Sequence, residues 1–385
     1  MKWNMPVSAH PSSGEYWHHT IRLKSINKMF KRIAIKVGSN VLAGGNGTLN
    51  KEVMAQLVYQ IAHLRKRGVD VILVSSGAVA AGKGVIGNLS NGDIVSQRQI
   101  WSSVGQVNLI NSYSSLLDIY QLKCAQILVT KEDFRDRLHY LNLRNCITSL
   151  LDHGIIPIIN ENDAISVTEL MFTDNDELSG LISSMTDVEA LFILSNIDGI
   201  YNGDPKDSGS KVIREVKASD GDLSEFITVQ KSSFGRGGMK TKYNIAQKAA
   251  SHGIEVFIAN GLKEHIILDI VDQKQDAVFT HFNGVSKSSP IKKWLAHSGE
   301  FTKGKILINS GAREALKSNH ATSVLPVGMT GIEGNFKKGD LIDIVDETGQ
   351  KVGLGRAMYG SDKAQNVIGV KGEKPIIHYD YLILT

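Results

Sequence analysis

The chain has 385 residues, of which 42% are apolar and 21% charged, and a net charge of +4. That much apolar material predicts a large core divided between two domains, and no apolar run approaches the roughly 18 residues a membrane span needs. Cys124 and Cys146 are too few for a disulfide framework or a zinc site and read as reduced core thiols; with no signal-peptide stretch at the start, a cytoplasmic location and no membrane partner are expected.

The basic excess sits at one end. Lys2, Arg22, Lys24, Lys28, Lys31 and Arg32 against Glu15 give +5 over the first 32 residues, which leaves −1 for the rest. Residues 1–28 carry His10, His18, His19, Trp3 and Trp17 without helical or strand period and read as a disordered tail. Two adjacent histidines without a third ligand argue for solvated side chains over a metal site.

From Lys31 onward, strand alternates with helix. Arg32 to Val37 reads as a strand, and Asn50 to Arg67 places Val53, Leu57, Ile61 and Leu64 on one helical face before Gly68. Then come a strand at Val69 to Val74, a long helix at Ile94 to Tyr120, a strand at Ala125 to Val129 and a helix at Leu138 to Leu151. Strands at Ile155 to Ile159, Glu189 to Ser195 and Ile254 to Ala259 follow, the last two separated by a helix at Met239 to Ala250. Such alternation predicts an α/β fold, a three-layer sandwich whose mainly parallel sheet is covered on both faces. The long helix carries Val104, Val107, Leu109, Ile110, Leu116 and Leu117, more apolar surface than one stripe needs, so part of it is expected to face a second subunit.

Near residues 273–300 the alternation stops, and Ser286 to Pro290 reads as a linker. Short β segments follow at Lys305 to Asn309, Ser323 to Pro326, Leu341 to Val345, Val352 to Ala357 and Val367 to Val370. The resulting division is a tail at 1–28, a first domain at 29–275, a linker at 276–298 and a small β-rich domain at 299–385.

The densest polar cluster is Asn160, Glu161, Asn162 and Asp163, followed by Asp174, Asn175 and Asp176. It begins at the carboxyl end of an interior strand, where open α/β sheets bind ligands. Three glycine-bearing turns also follow strands, at Lys36 to Gly47, Ser75 to Gly84 and Phe234 to Lys242. Glycine lets backbone N–H groups converge on an anion, and a helix start adds the positive end of its dipole, so phosphate is the natural guest. Gly77 to Lys83 matches the spacing GxxxxGK, but Gly84 stands where a P-loop needs Ser or Thr, which argues against that class. The small residues from Ser76 to Gly82 suit close approach to a substrate carboxylate instead, with Lys83 solvated.

Taken in order, IKVGSNVL at Ile35, SSGAVAAG at Ser75, INEND at Ile159, FTDNDELS at Phe172, SNIDGIYNGDP at Ser195 and GGMKTK at Gly237 resemble the amino-acid kinase family, within it the glutamate kinases. GNFKKGDLIDIVD at Gly334 and GLGRAMY at Gly353 are similar to a PUA module, a small β-rich barrel. The resemblance runs from about Lys31 to Thr385. It implies transfer of the ATP γ-phosphoryl group, with Mg²⁺ on the phosphates, to the side-chain carboxylate of L-glutamate, which opens proline synthesis. A carboxylate nucleophile is already ionised at neutral pH, so the obstacle is bringing one anion onto another.

Carried over by motif, Lys36 and Lys242 would clamp the phosphates, with Asp176 holding both lysines. Asp163 and Asn175 would bind glutamate's amino and carboxylate groups, with Ser76 and Gly77 on its other side. The ATP contacts would come from Lys36, Gly38, Ser195, Asn196, Arg236, Gly237, Gly238, Met239, Lys240, Thr241 and Lys242, with no metal held by protein ligands alone. Asp174 and Asp163 also suit helix caps or turns, and Glu161 and Asn162 suit turn shaping alone. Ser195-Asn196 stands where many members have Thr-Asp, and Arg236 where many have a small hydroxyl residue. The resemblance further implies a homo-oligomer and feedback inhibition by proline. Two rivals stand beside it: a kinase for acetylglutamate, aspartate, carbamate or uridylate, and an RNA-binding PUA protein with a kinase-like scaffold. Residues 290–385 hold 13 Lys and Arg against 10 Asp and Glu, without the concentrated basic stripe that RNA binding favours.

Overall fold

A computed structural model describes residues 30–44, 48–90, 92–135, 137–166, 172, 174–217, 238–285, 302–317 and 322–384. The expected tail, Arg236, Gly237 and the linker at Ser286 to Pro290 lie outside the described residues.

In chain order the first part reads β1 (Arg32–Val37), α1 (Ser39–Leu42), α2 (Lys51–Lys66), β2 (Asp70–Val74), α3 (Ala78–Ile86), α4 (Ile94–Asp118), β3 (Cys124–Val129), α5 (Glu132–Arg135) and α6 (Arg137–Asp152). It continues with β4 (Ile156–Glu161), α7 (Asn175–Met185), β5 (Ala190–Ser195), β6 (Glu215–Val216), α8 (Met239–Ser251), β7 (Glu255–Asn260), α9 (Ile266–Val271) and β8 (Phe279–Phe282). The eight strands form one sheet in the order β3-β4-β2-β1-β5-β7-β8-β6. Every pair is parallel except β7 with β8.

Alternation along the central strands explains the three layers. Ile33, Ile35 and Val37 of β1 point to one apolar cluster and Ala34 to the other, and β2 splits Val71 and Leu73 from Ile72 and Val74 in the same way. The first face is covered by Leu57 of α2, Leu109 of α4 and Ile267 of α9; the second by Ile147 of α6, Leu178 of α7 and Tyr243 of α8. Strands buried on both faces read as near-continuous apolar runs, which is why they were legible. Asn50 caps α2 by accepting from the Val53 amide, and Gly68 beyond its end takes a left-handed φ of 80°.

The second part consists of β9 (Gly304–Ile308), α10 (Ser310–Lys317), β10 (Met329–Gly334), β11 (Leu341–Asp346), β12 (Lys351–Arg356), α11 (Ser361–Asn366) and β13 (Leu382–Leu384). Its strands run in the order β10-β9-β11-β12-β13 around an apolar cluster that includes Ile306, Ile344, Phe336 and Ile377. Leu341 and Leu354 turn the other way and join the buried cluster on the α6–α7–α8 face of the large sheet.

Four expectations are corrected. Strand β8 pairs with β7 as far as Phe282, so the boundary set at 276 cuts through the first sheet. Residues 323–326 make only an isolated bridge, Val324 to Ile377, because Pro326 opens a 3-10 turn and has no N–H for a ladder. Residues 367–370 form no strand: Val367 ends α11 and is buried there, Gly369 reverses the chain with a φ of 76°, and Val370 is exposed. Cys146 is exposed and Cys124 half-buried, so neither is a core thiol.

Candidate active site

Four neighbouring strands bring the polar motifs together. In spatial order, the carboxyl ends of β4, β2, β1 and β5 carry Asn160 to Asp163, Ser75 to Gly77, Lys36 to Gly38, and Ser195 with Asn196. Strands lie about 4.8 Å apart, so this row spans roughly 14 Å. A cavity of about 570 Å³ opens over it, lined by Lys36, Gly38, Ser76, Gly77, Asp163, Asn175, Asp176, Ser195, Asn196 and Lys242. These are ten of the residues singled out from the sequence.

On the β1 side, Asp176 is fully buried between two lysines. Lys36 Nζ lies 2.6 Å from its Oδ1, and Lys242 Nζ donates to its Oδ2 at 2.8 Å. Lys36 and Lys242 are themselves only 4% and 7% exposed, so the triad has little water to screen it. Burial pulls the Asp176 carboxyl upward, but the two lysine charges outweigh it and hold the group below the usual carboxylate range. The same contact holds the Lys242 ammonium above its ordinary value against its own desolvation. One carboxylate facing two ammonium groups leaves this triad one positive charge in excess, which Asp174 offsets when it is ionised, and two fixed ammonium groups suit a site for an incoming anion.

Asp174 caps α7, its Oδ1 accepting from the amides of Asp176 and Glu177. It also lines the cavity, and its buried Oδ2 has no hydrogen-bond partner among the described residues. Burial and the Asp176 charge push it up to about 6.

On the β4 side the contacts differ. Asp163 Oδ1 accepts from Arg98 Nη2 of α4 at 2.7 Å, an ion pair not anticipated from the sequence. Burial pushes the Asp163 carboxyl up by more than Arg98 pulls it down. Glu161 is buried as well, accepts from the Phe172 amide at 3.0 Å, and is pushed up to about 7 by desolvation and by Asp163. Glu161 therefore fastens Phe172 to the end of β4.

Asn175 is a staple. Its Nδ2 donates to Ser75 O at 2.7 Å, Ser76 Oγ at 2.8 Å and Asn160 Oδ1 at 3.1 Å, so this nitrogen ties α7 to β2 and β4. Asn160 Nδ2 passes the chain on to Gln106 Oε1 of α4. Gly77 follows with a φ of 96°, a left-handed conformation that glycine adopts without strain, and starts α3 with no side-chain cap. Ala78, Val79 and Ala80 of its first turn line the cavity, where unpaired helix-start N–H groups favour an anion.

Two of the expected nucleotide contacts also serve the fold. The Gly38 amide donates to Leu194 O, so it serves the sheet. Met239 packs against the apolar cluster beneath α8. Gly238 is the uncapped residue before α8, and Lys240 on the first turn is exposed. Arg98 and Gln106 were missed because their helix reads as an apolar stripe.

Residues 31–260 match the amino acid kinase family and residues 304–379 the PUA domain. The chain belongs to the amino acid kinase family. More narrowly, it is 54% identical over 356 residues to a protein of Bacteroides thetaiotaomicron named glutamate 5-kinase, covering 92% of this chain and 99% of that one. A second glutamate 5-kinase, of Chlorobaculum tepidum, is 47% identical over 93% of this chain and 98% of its own length. Among solved structures, a UMP kinase of Bacillus anthracis aligns over 67% of this chain at 16% identity and a TM-score of 0.45.

Proposed function

We propose that this chain transfers the γ-phosphoryl group of ATP to the side-chain carboxylate of L-glutamate, giving L-glutamyl 5-phosphate, the opening step of proline synthesis. The likeness to two glutamate 5-kinases along almost their whole length supports this reading. The observation that carries the chemistry is the buried pair of ammonium groups on Asp176. Negative charge is spread over the oxygens of the transferring group while an anionic nucleophile approaches, and fixed cations in a dry site stabilise that arrangement. Asp176 keeps Lys36 and Lys242 convergent and charged, so no reorganisation is needed at the moment of transfer. No residue is required as general base, since the attacking carboxylate is already ionised.

The substrate lies over β4 and β2, with its amino group toward Asp163, its reacting carboxylate toward β1, and the Asn175 staple fixing the Ser76 turn between them. The nucleotide phosphates lie over β1 and β5, beside Ser195, Asn196 and the start of α8. Among the described residues no group of three metal-ligating side chains occurs, so Mg²⁺ fits here as an ion held mainly by phosphate. The unpartnered Asp174 Oδ2 is the carboxylate oxygen available to it or to its water shell. Bound there, Mg²⁺ neutralises charge on the phosphates. Exposed Ile100 and Val107, on the same face of α4 as half-buried Val104, provide the surface for self-association.

ADP release that requires L-glutamate, with hydroxylamine trapping a γ-glutamyl hydroxamate, is the expected result for the purified chain. Equal turnover of N-acetylglutamate would overturn the substrate assignment, because acetylation removes the ammonium that Asp163 meets.

A further inference from the structure

Among the described residues, Arg98 is the cation on the β4 side of the cavity wall whose partner is also a predicted substrate ligand. Its position follows from an unusually close helix pair. A Cβ added to Gly105 of α4 would stand 1.8 Å from Ala78 O of α3, and one added to Gly82 of α3 would stand 1.8 Å from Trp101 O of α4. Only glycine permits that approach. Arg98, Trp101 and Gly105 follow one another at helical spacings of three and four, so the face of α4 that presses on α3 also presents Arg98 to the cavity.

The guanidinium is incompletely used. Nη2 donates to Asp163, while the Nε–H is buried with no hydrogen-bond partner among the described residues. An arginine fork carries five donors and suits bidentate carboxylate contacts. Beside it, the first turn of α3 contributes N–H groups and the positive end of a nine-residue helix. Asp163 adds the opposite charge at 2.7 Å from the guanidinium.

An adjacent cation and anion form the complement of an α-amino acid, which carries a carboxylate and an ammonium on one carbon. We infer that Arg98 is a specificity-determining residue that binds the substrate's α-carboxylate while Asp163 takes its ammonium. This rests on the proposed glutamate reading and extends it: the four charges close a neutral ring, so a zwitterion enters without adding net charge. The side-chain carboxylate of the same molecule is thereby the only one left to face the lysines. An acid lacking either α-substituent leaves one member of the Arg98–Asp163 pair unmatched.

The test compares L-glutamate with its 1-amide, which keeps the ammonium and the reacting carboxylate but replaces the α-carboxylate by a neutral group. In the unaltered chain kcat/KM favours L-glutamate. In Arg98→Gln that preference is expected to fall by about 10- to 100-fold, the range for one hydrogen-bonded charge, chiefly through KM for L-glutamate. Arg98→Lys, which keeps a cation without the fork, is expected to recover part of the preference. Were Arg98 merely to orient Asp163, both substrates would lose equally in Arg98→Gln, and the inference would be overturned. Calorimetric binding of the two compounds without nucleotide reads the same ratio independently of turnover. A chain that binds L-glutamate through Arg98 yet releases no ADP would sink the activity and leave this assignment standing, whereas an unchanged binding ratio in Arg98→Gln would sink the assignment alone.

Discussion

On the β1 side of the pocket Asp176 is wholly enclosed by Lys36 and Lys242; on the β4 side Asp163 meets Arg98, whose side chain is 29% exposed. Both are carboxylates paired with cations, yet their surroundings move them in opposite directions. Two lysines hold Asp176 below the usual carboxylate range against its burial, whereas one partly solvated arginine leaves burial dominant at Asp163. A site with two ammonium groups fixed on one buried carboxylate is preset for phosphate. A site with one charge of each sign is balanced when empty and exchangeable when a zwitterion arrives. The difference separates the group that supplies chemistry from the group that selects the molecule.

Removing the anion from the enclosed side is the hardest way to break that contrast. In Asp176→Asn two buried ammonium groups lose their counter-charge, and breaking a buried pair in this manner costs about 3–5 kcal/mol. Turnover is expected to fall by more than about 10³-fold, with a matching loss of stability in urea unfolding. A variant that keeps both would show that the lysines do not depend on Asp176.

The helix pair behind Arg98 comes next. Gly105→Ala drives a methyl group into Ala78 O, and overpacking of this kind costs about 1–3 kcal/mol or more. Because α3 and α4 carry Gly77 and Arg98, KM for L-glutamate is expected to rise while KM for ATP stays within about twofold. Equal changes in both would show that the two sides of the pocket are not separable.

The smallest expected effect concerns pH. Glu161 is pushed up from 4.5 to about 7, so between those values the folded chain binds more protons than the unfolded one. Its stabilising contribution is complete below the lower value and disappears as pH rises through the upper one. Asp174, pushed up to about 6, acts in the same direction. In Glu161→Gln, which keeps an acceptor for the Phe172 amide, the decline in thermal stability from pH 5 to 7.5 is expected to flatten. An unaltered slope would show that Glu161 is not the titrating group.

Much of this architecture was legible before any coordinates. Interior strands announce themselves as Val- and Ile-rich runs, and Asn50 and Gly68 mark the ends of α2. The polar cluster after Ile159 and the glycine turns after Lys36 and Ser75 fall on the pocket, with Lys242 at the end of the third turn, because strand ends in an alternating fold converge on one sheet edge. Arg98 was not legible. Its helix reads from its apolar residues alone, and neither Gly82, which reads as part of a substrate-facing turn, nor Gly105 signals the close helix contact that fills both Cβ positions with a neighbouring backbone. The role of Asn175 was half legible: its place in the site follows from the motif, but its bonds to Ser75, Ser76 and Asn160 join segments up to 100 residues apart. At Val367 to Val370 a short apolar run served equally well as a helix end, an ambiguity that periodicity alone does not resolve.

The central claim is that fixed ammonium groups, and not substrate affinity, set the rate of transfer. Single-turnover rapid quench of Lys242→Ala at saturating ATP and L-glutamate addresses it directly. The expected result is a rate lowered by about 10²- to 10³-fold, with L-glutamate affinity within about twofold of the unaltered chain. A rate that stays the same while L-glutamate affinity collapses would contradict it.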